Sequence, residues 1–441
     1  MRKTRSELPL IGFIPLFDNL GETYPLVAIA KKYIELGGEA IFFSYGEGYQ
    51  YLAREIGCEV IDLPVDLSEK EAKKNEAEWK KYFEEQSPRE KFYLRWVNKD
   101  FYQYDVSFIK KQVKAFKDAD VKLIVTGFCY PCIISARKAN IPLVFIVSGS
   151  AIPPYYQQNL ASFPDNYENF FIRFVPSFIK NRIANWFILN SKSSVKEFNR
   201  LASTFDTQKI NHFLDLLSGD YTLVAEDISF LNIKPTEEFP AKNFVGPIFP
   251  EIPHIEKDDN VDIAVKKHLE RSGKSILVSL GSSGTKKLFL EILRALEKTD
   301  FNVVAVYTTI FDKNDVPIFK DNILPVQFVS SIKKVNESVD IAIIHGGRGT
   351  VYTAAYAGKP VIGIPYHVEQ QCNIDNLVRH GSAIRLSRRN FNERELLTAT
   401  NKIFANYDTF LKNAQLLKEK LQEPKGAENT VKRLLEIFDD L

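Results

Sequence analysis

Along the first 150 positions, short apolar runs alternate with segments of helical period. That alternation predicts a parallel sheet covered by helices on both faces. Leu8–Leu16 is the first run and Asp18-Asn19-Leu20-Gly21 follows it. Leu26, Val27, Ala30, Tyr33 and Ile34 then recur at three- and four-residue spacing. This predicts a helix with Pro25 in its first turn, closed by Gly37-Gly38. Ala40–Ser44, Val121–Thr126 and Leu143–Val147 read as further strands, with a helix near Pro131–Ala139 between the last two.

Two stretches interrupt the rhythm. Residues 66–116 begin with a dense Lys/Glu mixture over Glu69–Glu85, the pattern of a solvated helix face. Trp79, Phe83, Phe92, Tyr93, Trp96, Phe101 and Tyr102 follow. Residues 150–190 are aromatic and partly basic, with Tyr155, Tyr156, Phe170, Phe171, Arg173, Phe174, Phe178, Lys180, Arg182 and Trp186. Both read as helices packed on the first domain. A sharper alternative is an apolar acceptor cleft, or a face that rests on a membrane surface.

Prolines 235, 240, 247, 250 and 253 cluster among acidic residues and mark a boundary within 231–274. Beyond it the alternation resumes. Ser275–Leu280, Phe301–Tyr307, Val326–Val329, Val339–Ile344 and Pro360–Ile364 read as strands, and Leu288–Lys298 as a helix. The stretch from Asn392 to Leu441 reads as helices, with Asn392 as an N-cap. The domains expected are residues 1–240, residues 241–425, and a terminal helix over 426–441 that packs back on the first domain.

Composition narrows the function. Apolar residues are 45% and charged residues 26% of the chain, an ordinary globular balance. Fifty-eight basic residues against 56 acidic ones leave a net charge of +2, which argues against a dedicated binder of nucleic acid. No run approaches the roughly 18 apolar residues of a membrane span. The basic start Met1-Arg2-Lys3-Thr4-Arg5 has the look of a signal-peptide head. The apolar stretch after it, however, is short, broken by Pro9 and Pro15 and met by Asp18, so it reads as a strand. Four cysteines in so long a chain fit a reducing, cytoplasmic setting. Cys129-Tyr-Pro-Cys132 has redox-motif spacing but reads as two inert thiols.

The most informative stretch is Ile341-Ala-Ile-Ile-His345-Gly346-Gly347-Arg348-Gly349-Thr350, a strand running into a glycine-rich turn that opens a helix. Glycines admit a ligand close to the backbone, and a helix N-terminus carries partial positive charge. Together they suit a phosphate, with His345 and Thr350 adding donors. The next strand ends in Pro365-Tyr-His-Val-Glu369-Gln370-Gln-Cys-Asn373. Glu369 and Gln370 therefore fall at the same carboxyl edge, where open α/β sheets bind ligands. They suit sugar hydroxyls, unless Glu369 and Asn373 merely cap the following helix.

These residues, with Ala354, Gly358-Lys-Pro360 and Pro365, resemble the donor-binding signature of the family 1 UDP-glycosyltransferases. Val245-Gly246-Pro247 resembles that family's interdomain linker, and Val278-Ser279-Leu280-Gly281-Ser282 its loop near the diphosphate. The match runs from about 243 to 386 and extends more weakly to 8–60 and 120–147. The resemblance implies a GT-B fold of two Rossmann-like domains facing a cleft, and inverting transfer without an essential metal or a cofactor. It assigns His345, Thr350 and the backbone at Gly347 and Gly349 to the diphosphate, with Ser282 nearby. It assigns Glu369 and Gln370 to the donor sugar, and the segment around Val329 to the nucleobase. Thr353 departs from the family, which often has a ribose-binding Glu there, so UDP is favoured with dTDP an alternative.

Many relatives use a His after the first strand, oriented by an Asp. Here Glu22 and Gly127 stand at those places, so that dyad is absent. A subset that includes sterol and glycopeptide-antibiotic glycosyltransferases resembles this chain in carrying a carboxylate at the first turn. Glu22 is then the base; otherwise it caps the helix. Asp118-Ala-Asp120 resembles a metal-binding Asp-x-Asp but precedes its strand, the wrong end for a ligand. His212, His254, His268 and His380 read as surface or capping residues. His367 is a weaker candidate for the cleft wall. Arg348 reaches a phosphate or an acceptor carboxylate, or points to solvent.

The expected function is transfer of a hexose from a nucleoside diphosphate sugar to a hydroxyl of an apolar acceptor: lipid, sterol-like or natural product. The expected location is the cytoplasm, with peripheral contact at the inner face of a membrane as an option. The rivals are a sugar-nucleotide epimerase and a non-catalytic sugar-nucleotide binder of the same architecture.

Overall fold

Central strands of a doubly covered sheet are buried on both faces, and the runs Leu123–Thr126, Leu143–Val147, Ser275–Ser279, Asn302–Val306 and Ile341–Ile344 are buried at every position. The computed structural model describes residues 8–441 except 18, 45–47, 64–105, 169–171, 193, 250–258, 282–283, 309 and 312–314. Most of the first insertion, including Glu69–Glu85 and its aromatics, thus lies outside the described residues, as do Phe170, Phe171 and His254.

Two six-stranded parallel sheets result. The first comprises β1 (Leu10–Ile14), β2 (Glu39–Ser44), β3 (Glu59–Asp62), β4 (Leu123–Thr126), β5 (Leu143–Val147) and β6 (Tyr221–Val224). The second comprises β7 (Ser275–Ser279), β8 (Asn302–Val306), β9 (Ile323–Val326), β10 (Ile341–Ile344), β11 (Val361–Gly363) and β12 (Ala383–Arg385). The orders are β3-β2-β1-β4-β5-β6 and β12-β11-β10-β7-β8-β9. Each is the same doubly wound order, reversing beside its first strand. That switch point, between β1 and β4 and between β7 and β10, is where such sheets receive ligands.

Three local expectations needed correction. The first helix runs over Leu20–Glu35 with Asn19 as its cap, accepting from Gly21 N at 2.9 Å. Pro25 therefore sits inside the helix, not in its first turn. The strand expected at Val326–Val329 is Ile323–Val326; Pro325 lies within it, tolerated because β9 is a sheet edge. The edge strands β3, β6 and β12 had no counterpart among the strands expected. Asn392 does cap the helix Glu393–Ala405, accepting from Glu395 N at 3.0 Å.

The helix Gly426–Asp439 returns to the first sheet. Its Ala427, Val431, Leu434 and Ile437 share one buried cluster with Leu26, Val27, Ile29 and Ala30 of the first helix. The linker passes beneath its start. Gly246 takes a φ of +86°, Asn429 donates to Val245 O at 2.9 Å, and a Cβ at Gly426 would lie 2.4 Å from Pro247 O. Glycine is required there by close approach of two backbones. Other contacts between the lobes include Arg385 with Asp165 at 3.0 Å, and Tyr155 Oη donating to Asn376 Oδ1 at 3.1 Å.

Candidate active site

Residues following β1, β4, β6, β7, β10 and β11 line one cleft of about 400 Å³ between the lobes. From the first lobe come Asn19, Gly21, Tyr24, Pro25, Phe128 and Ala225; from the second come Gly281, His345, Gly347, Arg348, Gly349, Thr350, Tyr352, His367, Glu369 and Gln370.

The glycine-rich turn is built by close contact. Gly346 has a φ of +96°, and a Cβ there would lie 2.5 Å from the Gln370 carbonyl. Asn373 Nδ2 donates to Gly346 O at 2.9 Å and ties the turn to the helix Val368–Arg379, so it is not that helix's cap. A Cβ at Gly347 would stand 2.5 Å from His345 Nε2, and one at Gly281 would stand 2.6 Å from its Cε1. The imidazole is thus held between two glycine backbones. At Gly349 a Cβ would meet nothing within 4 Å, so space is open over the first turn of the helix Arg348–Ala357. Backbone N–H groups of that turn and the helix N-terminus supply an anion cradle.

Individual side chains refine the expected roles. Burial pushes His345 down to about 4, so the imidazole is neutral, and its Nδ1 is buried without a hydrogen-bond partner. Thr350 Oγ1 donates to Gly347 O at 2.9 Å, leaving its lone pairs toward the cleft. Gln370 Oε1 accepts from Tyr366 N at 2.9 Å, so its amide N–H₂ remains for a ligand. Glu369 lies 3.8 Å from Arg348. Val329 is buried in the core and absent from the residues lining the cleft, and Phe328 beside it is exposed. Thr353 is buried with Oγ1 donating to Thr350 O at 2.9 Å, turned away from any ribose. Ser282 lies outside the described residues.

Glu22 does not cap its helix, since Asn19 does. Its Oε1 accepts from Phe128 N at 2.8 Å, across from the end of β4, and its Oε2 is buried without a hydrogen-bond partner. The residue is 3% exposed and sits directly behind the wall made by Gly21 and Phe128. Burial raises its carboxyl to about 7, against the pull of backbone N–H groups and Arg348. A Cβ at Gly127 would lie 3.0 Å from Glu22 Cγ and Oε1, so the position expected to hold an Asp is glycine because the carboxylate fills that space.

Sequence reasoning missed Glu226. It follows β6, is wholly buried, accepts from Gly149 N at 3.0 Å through Oε1, and leaves Oε2 unpartnered. Burial raises it also to about 7. Reading Tyr221–Val224 as a strand would have placed this carboxylate at the same carboxyl edge. His367, a weaker candidate, lines the cleft. Of the other histidines, His268 is buried and bonds Asn322 O at 3.2 Å, contrary to a surface role, because its helix packs on the second sheet. His380 caps the helix Val368–Arg379. Asp118 and Asp120 are paired with Lys114 and Lys122, and Cys129 and Cys132 are buried free thiols.

Residues 275–430 match the glycosyltransferase family 28 C-terminal domain. The solved glycotransferase of kitacinnamycin superposes with a TM-score of 0.65 over 97% of this chain and 98% of that one, at 16% identity. The chain has the GT-B fold. Among proteins similar in sequence, a PGL/p-HBAD biosynthesis glycosyltransferase of Mycobacterium tuberculosis is 28% identical over 190 residues, 42% of this chain and 41% of that protein. Human UDP-glucuronosyltransferase 2B7 is 23% identical over 313 residues, 68% of this chain and 58% of that protein. The chain thus matches about two-fifths of the length of the mycobacterial relative and under two-thirds of the human one.

Proposed function

We propose that this GT-B protein is an inverting glycosyltransferase, moving a hexose from a nucleoside diphosphate sugar, UDP first, to a hydroxyl of an apolar acceptor. The observation that carries it is the glycine-walled turn at 346–349, opening a helix into a cleft whose opposite wall hides an unpartnered buried carboxylate. The acceptor oxygen attacks the anomeric carbon, the bond from that carbon to the diphosphate breaks, and the acceptor proton passes to Glu22 Oε2. A desolvated carboxyl near 7 is a competent base at neutral pH. The departing diphosphate is met by the N-terminus of the helix Arg348–Ala357 and by the one N–H of the neutral His345 imidazole, with no metal or cofactor in the scheme. Glu369 and Gln370 hold the sugar. Glu22 Oε2 is buried behind Gly21 and Phe128, so the transfer requires these two residues to give way to the acceptor.

Glu226 is a second reading for the base, favoured by the same burial and the same orphaned oxygen. The acceptor side of the proposal includes contact with a membrane surface through the exposed apolar face of the helix Ser177–Leu189. No described helix is long and apolar enough to cross a membrane.

The test is a thermal-shift screen with UDP, dTDP and GDP sugars, followed by turnover of the stabilising donor in Glu22→Gln and Glu226→Gln. The expected result is stabilisation by UDP sugars, with Glu22→Gln retaining that shift and losing most turnover. Near-normal turnover in Glu22→Gln removes it as the base, and no stabilisation by any nucleotide sugar removes the function. An epimerase would instead convert the donor with no acceptor present.

A further inference from the structure

Pro25 lies inside the first helix and has no N–H, so the Gly21 carbonyl lacks its regular i→i+4 partner. The group that takes its place comes from the other lobe: Arg348 Nη2 donates to Gly21 O at 3.3 Å. Arg348 is the first residue of the glycine-turn helix, and its Nε stands 3.8 Å from Glu369 Oε1. One guanidinium therefore spans the cleft, from the residue assigned to the sugar to the residue that precedes the base.

We propose that Arg348 is a positioning residue for the base: docked on the carbonyl that Pro25 leaves open, it carries the second lobe's positive charge to the side of Glu22 and holds that carboxylate in its proton-accepting form. The proposal rests on reading Glu22 as the base. Its charge environment is mixed. Facing Arg348 are Glu22 from the first helix, Glu226 from the end of β6 and Glu369 from the helix Val368–Arg379. Facing Glu22, besides Arg348, are backbone N–H groups including Phe128 N. Glu226 also faces Tyr352, and His345 and His367 stand on the donor side, pushed by burial toward their uncharged forms. Arg348 is thus a cation set against two carboxyls that burial drives toward protonation, and withdrawing it leaves only backbone N–H groups to oppose burial. Because Glu22 and Arg348 belong to different lobes, the basicity of the site depends on the lobes being together.

The experiment follows Glu22 directly in the full chain. Infrared difference spectra against Glu22→Gln isolate its carboxyl band, which is titrated in wild type, Arg348→Gln, Arg348→Lys and Pro25→Ala; UDP binding is measured by calorimetry in parallel. The expected result is an upward move of the Glu22 midpoint in Arg348→Gln. Arg348→Lys should restore most of it. Pro25→Ala, which returns an N–H to the Gly21 carbonyl and unseats the guanidinium, should move the midpoint the same way as Arg348→Gln. An unchanged midpoint in Arg348→Gln overturns the proposal, and more so if UDP affinity falls tenfold, since Arg348 is then a phosphate ligand. Failure of wild type to bind UDP sinks the donor site instead, while the titration still decides what Arg348 does to Glu22.

Discussion

A side chain at position 127 and a carboxylate at position 22 compete for one space, since a Cβ on Gly127 would stand 3.0 Å from Glu22 Oε1. The sequence displayed both residues, and their relation to a missing His–Asp pair was legible. That the glycine makes room for the carboxylate was not, because the residues meet only through the β1–β4 pairing. Glu22 also links site and stability. Its carboxyl rises from 4.5 to about 7 on burial, so its contribution to stability is fully present below pH 4.5 and is lost as pH rises through 7. Glu22→Gln keeps an acceptor for Phe128 N and has no charge to desolvate. Its melting temperature should match wild type near pH 5 and exceed it near pH 8, by the equivalent of about 1–3 kcal/mol. An equal difference at both pH values would show that desolvation of this carboxyl is not at work.

At the scale of elements, legibility followed burial. Strands covered on both faces announced themselves as unbroken apolar runs, whereas β3 and β12, edges with partly exposed positions, carried too few apolar residues to stand out. The glycine turn was legible because only glycine permits its φ and its contacts. The inward turn of Thr353 and Val329 was not, since one residue of rotation decides it. The helix Ser177–Leu189 was legible as aromatic and basic, and Phe178 (73%), Ile183 (45%) and Trp186 (53%) are indeed exposed on it. Its Lys180 pairs with Glu168, so its face is more apolar than its composition suggests. If that face meets a bilayer, Phe178→Ser combined with Ile183→Ser should sharply reduce pelleting with anionic vesicles while leaving the melting temperature near wild type; equal pelleting removes the contact.

For the whole molecule, the two lobes share one strand order and are joined twice, by the linker at 245–247 and by the returning helix. Ile437 is fully buried against the first helix, although more than 400 residues separate them. Ile437→Ala should cost about 2–5 kcal/mol. All three tryptophans precede the linker in the sequence, and the described one, Trp186, lies in the first lobe. The urea midpoint seen by tryptophan should therefore fall; a midpoint unchanged by the substitution would mean that the last helix does not support the first lobe.

The part of the first helix's apolar surface that the helix Gly426–Asp439 covers stays open during synthesis until that helix has left the ribosome, long after the strands beside it have emerged. The half made first is the half finished last. A nascent chain of this kind must either keep that stripe shielded by a chaperone or delay docking of its opening helix, and severing the two halves at the linker would leave the leading fragment prone to self-association.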